Sequence, residues 1–126
     1  PKVLIINELA GSGGDFFPWV FKHQKIGPVV GARTWGGLVK SSVHYRLVDG
    51  GRVTAPDNAV FDPDTNEWVG ENKGIKPTIA VRQDAKSLNK GIDPQLQRAV
   101  KKAISLLPKT KRKITPPPFS TPALKK

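Results

Sequence analysis

The chain has no cysteine and no methionine among its 126 residues, and its histidines are limited to His23 and His44. Without cysteine there is no disulfide, no thiol nucleophile and no thiolate metal centre. Two histidines do not furnish a histidine-rich metal site either. No apolar run approaches the roughly 20 residues that a membrane-crossing helix needs, and no stretch reads as a signal peptide. Acidic residues are scarce: 10 Asp and Glu stand against 21 Lys and Arg, a net charge of +11. The length suits one small domain with a single core. The chain opens on Pro1-Lys2 and is inside an apolar run almost at once, so it is expected to be the back end of a longer polypeptide. On that reading, the lack of a targeting signal leaves the compartment open.

The excess positive charge is unevenly spread. Lys109, Lys111, Arg112, Lys113, Lys125 and Lys126 lie in residues 109–126 with no acid among them, leaving +5 for residues 1–108. Pro108 immediately precedes this stretch and Pro116, Pro117, Pro118 and Pro122 interrupt it, which forbids regular helix and favours extended polyproline conformations. Residues 108–126 therefore read as a basic, proline-rich flexible tail appended to a body of residues 1–107. The tail has only Phe119 as an aromatic, and no nucleic-acid-binding motif accompanies it. It reads as a solvated extension, not as a nucleic-acid binder.

The body reads as one α/β unit. Val3-Leu4-Ile5-Ile6 is expected to be a buried strand, and Asp15 to Lys22 opens a helix. Pro28 to Arg33 reads as a second strand, followed by the loop Thr34-Trp35-Gly36-Gly37. Val43 to Val48 alternates like a half-buried strand, Asp49-Gly50-Gly51 is a hairpin turn, and Arg52 to Ala55 is the return. Asp62-Pro63-Asp64-Thr65-Asn66 makes a further turn before Glu67-Trp68-Val69. Near the end, Asp93 caps a helix with Pro94 at its first position. Its apolar stripe is Leu96, Ala99, Val100, Ala103, Ile104 and Leu107, and Pro108 stops it.

Chemistry concentrates in Asn7-Glu8-Leu9-Ala10-Gly11-Ser12-Gly13-Gly14-Asp15. A serine between glycines, on the turn from a strand into a helix, suits a nucleophile whose neighbouring backbone N–H groups meet a developing oxyanion. The same residues equally suit a Gly-Ser turn that merely caps the helix. A triad within the chain does not assemble. His23 lies 11 residues along the same helix, roughly 16 Å from Ser12 at about 1.5 Å per residue, and His44 reads as an ordinary strand histidine. The glycines lack the lysine and spacing of a P-loop. Trp35 reads as an aromatic plug of the core in preference to a channel wall, and Phe16, Phe17 and Trp19 read as packing residues.

Several separated motifs nevertheless resemble one family. Asn7-Glu8-x-Ala10-x-Ser12-x-Gly14-Asp15-x-Phe17, Gly31-x-Arg33-Thr34-Trp35-Gly36-Gly37 and Leu47-Val48-Asp49-Gly50-Gly51 are followed in order by Trp68-Val69-Gly70-Glu71-Asn72-x-Gly74-Ile75-x-Pro77 and Gly91-x-Asp93-Pro94-Gln95-Leu96. This pattern is similar to the C-terminal catalytic domain of tricorn-type proteases, within the tail-specific, or C-terminal processing, serine peptidases. It covers nearly all of residues 1–107.

The resemblance implies an α/β fold of the crotonase-like αββ spiral type, incomplete at its N-terminus, with residues 1–107 as the C-terminal part of the catalytic domain. It places Ser12 on the nucleophile, Gly13 on an oxyanion-hole donor, and Glu71 on the glutamate that orients the catalytic histidine through a serine. The histidine, that relay serine and the second oxyanion donor lie upstream in the family. Lys76 stands where many relatives carry an aspartate, near the glutamate. A peptide or protein substrate and a homo-oligomer are expected, with no cofactor, metal or membrane span. Two alternatives stay open: a non-catalytic relative that binds a peptide or ligand, and a crotonase-like acyl-CoA enzyme.

Overall fold

The computed structural model describes residues 1–109 and 115–118. Positions 110–114 and 119–126 of the expected tail, and the side chain of His44, lie outside the described residues. A parallel three-stranded sheet organises the body, with β1 (Leu4–Ile6), β2 (Val29–Gly31) and β7 (Ile79–Ala80) in the order β1-β2-β7. Leu4 pairs with Val29 and Ile6 with Gly31, while Val30 pairs with Ile79. Helix α1 (Gly13–His23) carries the chain from β1 to β2. Phe21 of α1 meets Ile6 and Val29 in the core, and Leu4 packs against that cluster. Ile5 is 39% exposed, so β1 is not buried on both faces as its apolar run suggests.

Between β2 and β7 the chain makes a long excursion. It holds an antiparallel hairpin of β3 (Lys40–Arg46) and β4 (Arg52–Asn58), then a small hairpin of β5 (Phe61–Asp62) and β6 (Glu67–Trp68). The Asp49-Gly50-Gly51 turn forms as its residues dictate: Gly50 has φ 85°, and the Asp49 carboxylate accepts from the Gly51 N–H at 2.9 Å. The alternation in β3 does not translate into half-burial, however. Val43, Tyr45 and Val53 are 52, 72 and 42% exposed, because no second layer covers this ribbon among the described residues.

After β7 come α2 (Ala85–Leu88) and α3 (Pro94–Ser105). Asp93 caps α3 by accepting from the Leu96 N–H at 2.9 Å, with Pro94 at the start, as expected. The helix packs against β1 and β2 through Gln95 and Ala99, which are buried. Only part of the expected apolar stripe packs: Ala99 is buried and Ala103 half-buried, whereas Leu96, Val100, Ile104 and Leu107 are all about half exposed. A polar residue takes the buried position because the Gln95 amide donates to the Val81 carbonyl at 2.8 Å, which satisfies a buried donor and fixes α3 to the strand end.

Candidate active site

Ser12 sits at the N-cap position of α1, with φ 54° and ψ −110°. A non-glycine residue there carries backbone strain of about 1–3 kcal/mol, and such strain clusters at active sites. A serine at an N-cap ordinarily accepts a hydrogen bond from the first helical turn. Ser12 makes no such side-chain bond, although its residue is exposed. Its backbone is held instead: the Ser12 N–H donates to the Gly37 carbonyl at 3.1 Å, and its carbonyl accepts from Asp15 and Phe16. Among the described residues nothing accepts from the Gly13 N–H, and the space where a Gly13 side chain would project is open.

Two loops frame the serine. In residues 34–37, the wholly buried Asp15 carboxylate accepts from the Gly36 N–H at 2.9 Å and the Gly37 N–H at 3.0 Å. Thr34 is also fully buried, and it exchanges bonds with Ile75 through its backbone N–H and its hydroxyl. Asn72 donates to the Gly36 carbonyl at 2.8 Å. Gly36 adopts φ 94°, and a Cβ there would lie 2.7 Å from the Gly74 backbone nitrogen. The two glycine-rich loops therefore close on each other at van der Waals limits.

Glu71 enters from the second loop. Its Oε2 accepts from the Leu38 and Val39 N–H groups, both at 2.7 Å; Oε1 has no partner among the described residues. Ser12 thus grips Gly37 while Glu71 grips the next two residues, and both line one groove of about 620 Å³ with Trp35, Val39, Ser41 and Pro56. Trp35 is 66% exposed, which corrects its reading as a core plug. Its ring lies over Gly11 and Gly37, the positions where a side chain would collide with it, and it forms one wall of the groove. Phe16 and Phe17 are likewise exposed, at 41 and 53%.

The remaining expected residues separate from this groove. His23 ends α1, remote from Ser12, and its Nε2 lies 3.5 Å from Asp64. Lys76 does not line the groove that holds Glu71; it lines a different cavity of about 630 Å³ with Glu8, Arg33, Arg82 and Gln83. The clamp made by Asp15 went unread from sequence, although an acid in a first helical turn opposite a Gly-Gly loop is its signature.

A strained serine, an open backbone N–H at a helix start and a carboxylate stand close together in this α/β protein, a set of groups whose chemistry suits acyl transfer. The chain belongs to peptidase family S41, whose model matches residues 1–81. It is 43% identical over 117 residues to tricorn protease homolog 1 of Streptomyces coelicolor, covering 93% of this chain and 11% of that protein. It is 37% identical over 111 residues to the tricorn protease of Thermoplasma volcanium, covering 88% of this chain and 11% of that protein. The crystal structure of the tricorn protease superposes with a TM-score of 0.74 at 36% identity, over 82% of this chain and 10% of that one. The chain spans about a tenth of the length of these relatives.

Proposed function

We propose that the chain is the nucleophile-bearing part of a serine peptidase catalytic domain that cleaves peptides through an acyl-enzyme on Ser12. The single observation that carries the reading is Ser12 itself: a strained N-cap serine whose hydroxyl performs no capping. In the proposed reaction an imidazole takes the Oγ proton as Oγ attacks the scissile carbonyl carbon. The carbonyl oxygen becomes an oxyanion that receives the Gly13 N–H, an interaction worth about 3 kcal/mol. Collapse breaks the C–N bond, the imidazolium protonates the leaving amine, and water then hydrolyses the ester.

The imidazole is assigned to the upstream histidine that the family resemblance implies; His23, at the far end of α1, does not supply it. Glu71 orients it at one remove; fixation of Oε2 by two N–H groups leaves Oε1 for that contact. Residues 1–107 contribute the C-terminal part of a crotonase-like αββ spiral that upstream strands complete, and residues 108–126 form an appended basic tail. The assembled enzyme is a homo-oligomer acting on peptides or proteins, and the 126 residues alone are inactive. No helix among the described residues is long and apolar enough to cross a membrane.

The test is fluorophosphonate labelling of the full-length protein, with the modified residue mapped by peptide mass spectrometry and Ser12→Ala as control. Labelling at Ser12 that disappears in the mutant supports the reading. A folded protein that never labels would sink it in favour of a ligand-binding relative. Acyl-CoA turnover that survives Ser12→Ala would favour the crotonase-like alternative.

A further inference from the structure

Away from the groove, the last turn of α1 meets the β5–β6 hairpin. A ring nitrogen of His23 and one carboxylate oxygen each from Asp62 and Asp64 lie within 4.8 Å of one another. Nε2 of His23 is 3.5 Å from Oδ2 of Asp64, and the Trp19 ring stacks on His23 with centroids 5.0 Å apart. The decisive member is Asp62. Only 6% of it is exposed, Oδ1 accepts from the Asp64 N–H at 3.0 Å, and Oδ2 has no hydrogen-bond partner among the described residues. No Lys or Arg forms an ion pair with it there. That Oδ2 oxygen is not sealed from solvent, so it is free to meet a cation, and Lys73, which reaches the same hairpin, pairs with Glu67 instead.

We infer that His23, Asp62 and Asp64 form a binding site for a divalent metal ion of the zinc type, joining the C-terminal end of α1 to the β5–β6 hairpin. The donor chemistry chooses the ion. One imidazole and two carboxylates are a three-ligand set that suits Zn²⁺ with water as the fourth ligand, whereas Ca²⁺ takes oxygen ligands only. The bond from the Asp64 N–H to Oδ1 orients the Asp62 carboxylate as outer-shell partners orient metal ligands. Closing from 4.8 Å to the roughly 3.3 Å between ligands of a tetrahedral ion at about 2.0–2.1 Å asks only for side-chain adjustment of the two exposed members. The site is structural. It lies a helix length, roughly 16 Å, from Ser12, and it fastens a hairpin whose strands have two residues each, too few to hold alone. Where a histidine-rich centre was excluded by composition, one histidine with two acids suffices.

The proposal stands independently of the peptidase reading, and its test reads metal, not activity. Full-length protein is stripped with chelator and titrated with Zn²⁺; bound zinc is counted, and affinity is measured by competition with a chromophoric chelator. His23→Gln and Asp64→Asn change exposed side chains and leave the fold intact; Glu67→Gln, an acid of the same hairpin outside the cluster, is the control. The expected result is one Zn²⁺ equivalent in wild type and control that is lost, or bound at least tenfold more weakly, in both variants, with Co²⁺ absorption bands disappearing in parallel. Equal zinc stoichiometry and affinity in wild type and both variants overturns the proposal. So does binding of Ca²⁺ in preference to Zn²⁺.

Discussion

Replacing Asp15 by asparagine removes one of the two acceptors that hold Gly36 and Gly37. The amide oxygen keeps one N–H, but the NH₂ group then faces the other, donor against donor, at a site with no water access. A hydrogen bond to a charged group is worth about 1.5–3 kcal/mol, and an orphaned buried donor costs about 1–3 kcal/mol. The lower ends of the two ranges sum to about 2.5 kcal/mol towards local opening of residues 36–38. At tenfold per 1.4 kcal/mol that is roughly 60-fold. Since the Gly37 carbonyl holds the Ser12 N–H, the strained turn loosens with the loop. Hydrogen exchange of the full-length protein, read by mass spectrometry on peptides covering residues 34–39, should accelerate by about that factor. Exchange in these peptides within about threefold of wild type, in a folded variant, would refute the reasoning.

Trp35→Ala should raise KM for peptide substrates about tenfold while leaving kcat within about twofold, because the ring walls the groove and buries little; a large loss of thermal stability instead would restore the core-plug reading. Asp93 provides a pH test. Its carboxyl is held below the ordinary aspartate value chiefly by the Leu96 N–H and next by the Gln83 amide. A depressed folded-state pKa stabilises above the unfolded value and is lost as pH falls through the folded one. Protection of α3 amides should therefore exceed that of Asp93→Ala by a constant margin from about pH 5 upward, and the margin should shrink below about pH 4. A margin that grew in acid would contradict the assignment.

The elements carried by local chemistry were legible in the sequence. Asp93-Pro94 starts α3, Asp49-Gly50-Gly51 turns β3 into β4, and Val3 to Ile6 extends ahead of a glycine-bounded serine, because caps, turns and strain are decided within a few residues. Burial was not legible in the same way. The α3 stripe at Leu96, Val100 and Ile104 and the alternation in β3 record a preference for cover, but which element supplies that cover is a matter of neighbours. Here Gln95 is buried and those apolar residues are exposed, an outcome no periodicity encodes. Trp35 was misread for the same reason: aromatic area favours a core, and only the glycines beneath its ring reveal that it lies across a surface. Of the site, the motif resemblance singled out Ser12, Gly13 and Glu71, and the fold brings Ser12 and Glu71 into one groove. The Asp15 clamp on the loop beside them joins residues 21 and 22 positions apart, so the acid in the helix start and the Gly-Gly pair are visible in the sequence but their pairing is not.

The backbone at position 12 also bears on what the chain is kept for. At φ 54° and ψ −110° glycine would sit without strain, and the neighbours at 11, 13 and 14 are glycines already. A chain under no chemical duty at that turn would gain stability by a single change from serine to glycine. Serine there is the less stable choice, and proteins tolerate such choices where activity requires them. On the proposed reading of Ser12 as the nucleophile, stability and reactivity pull in opposite directions on one side chain.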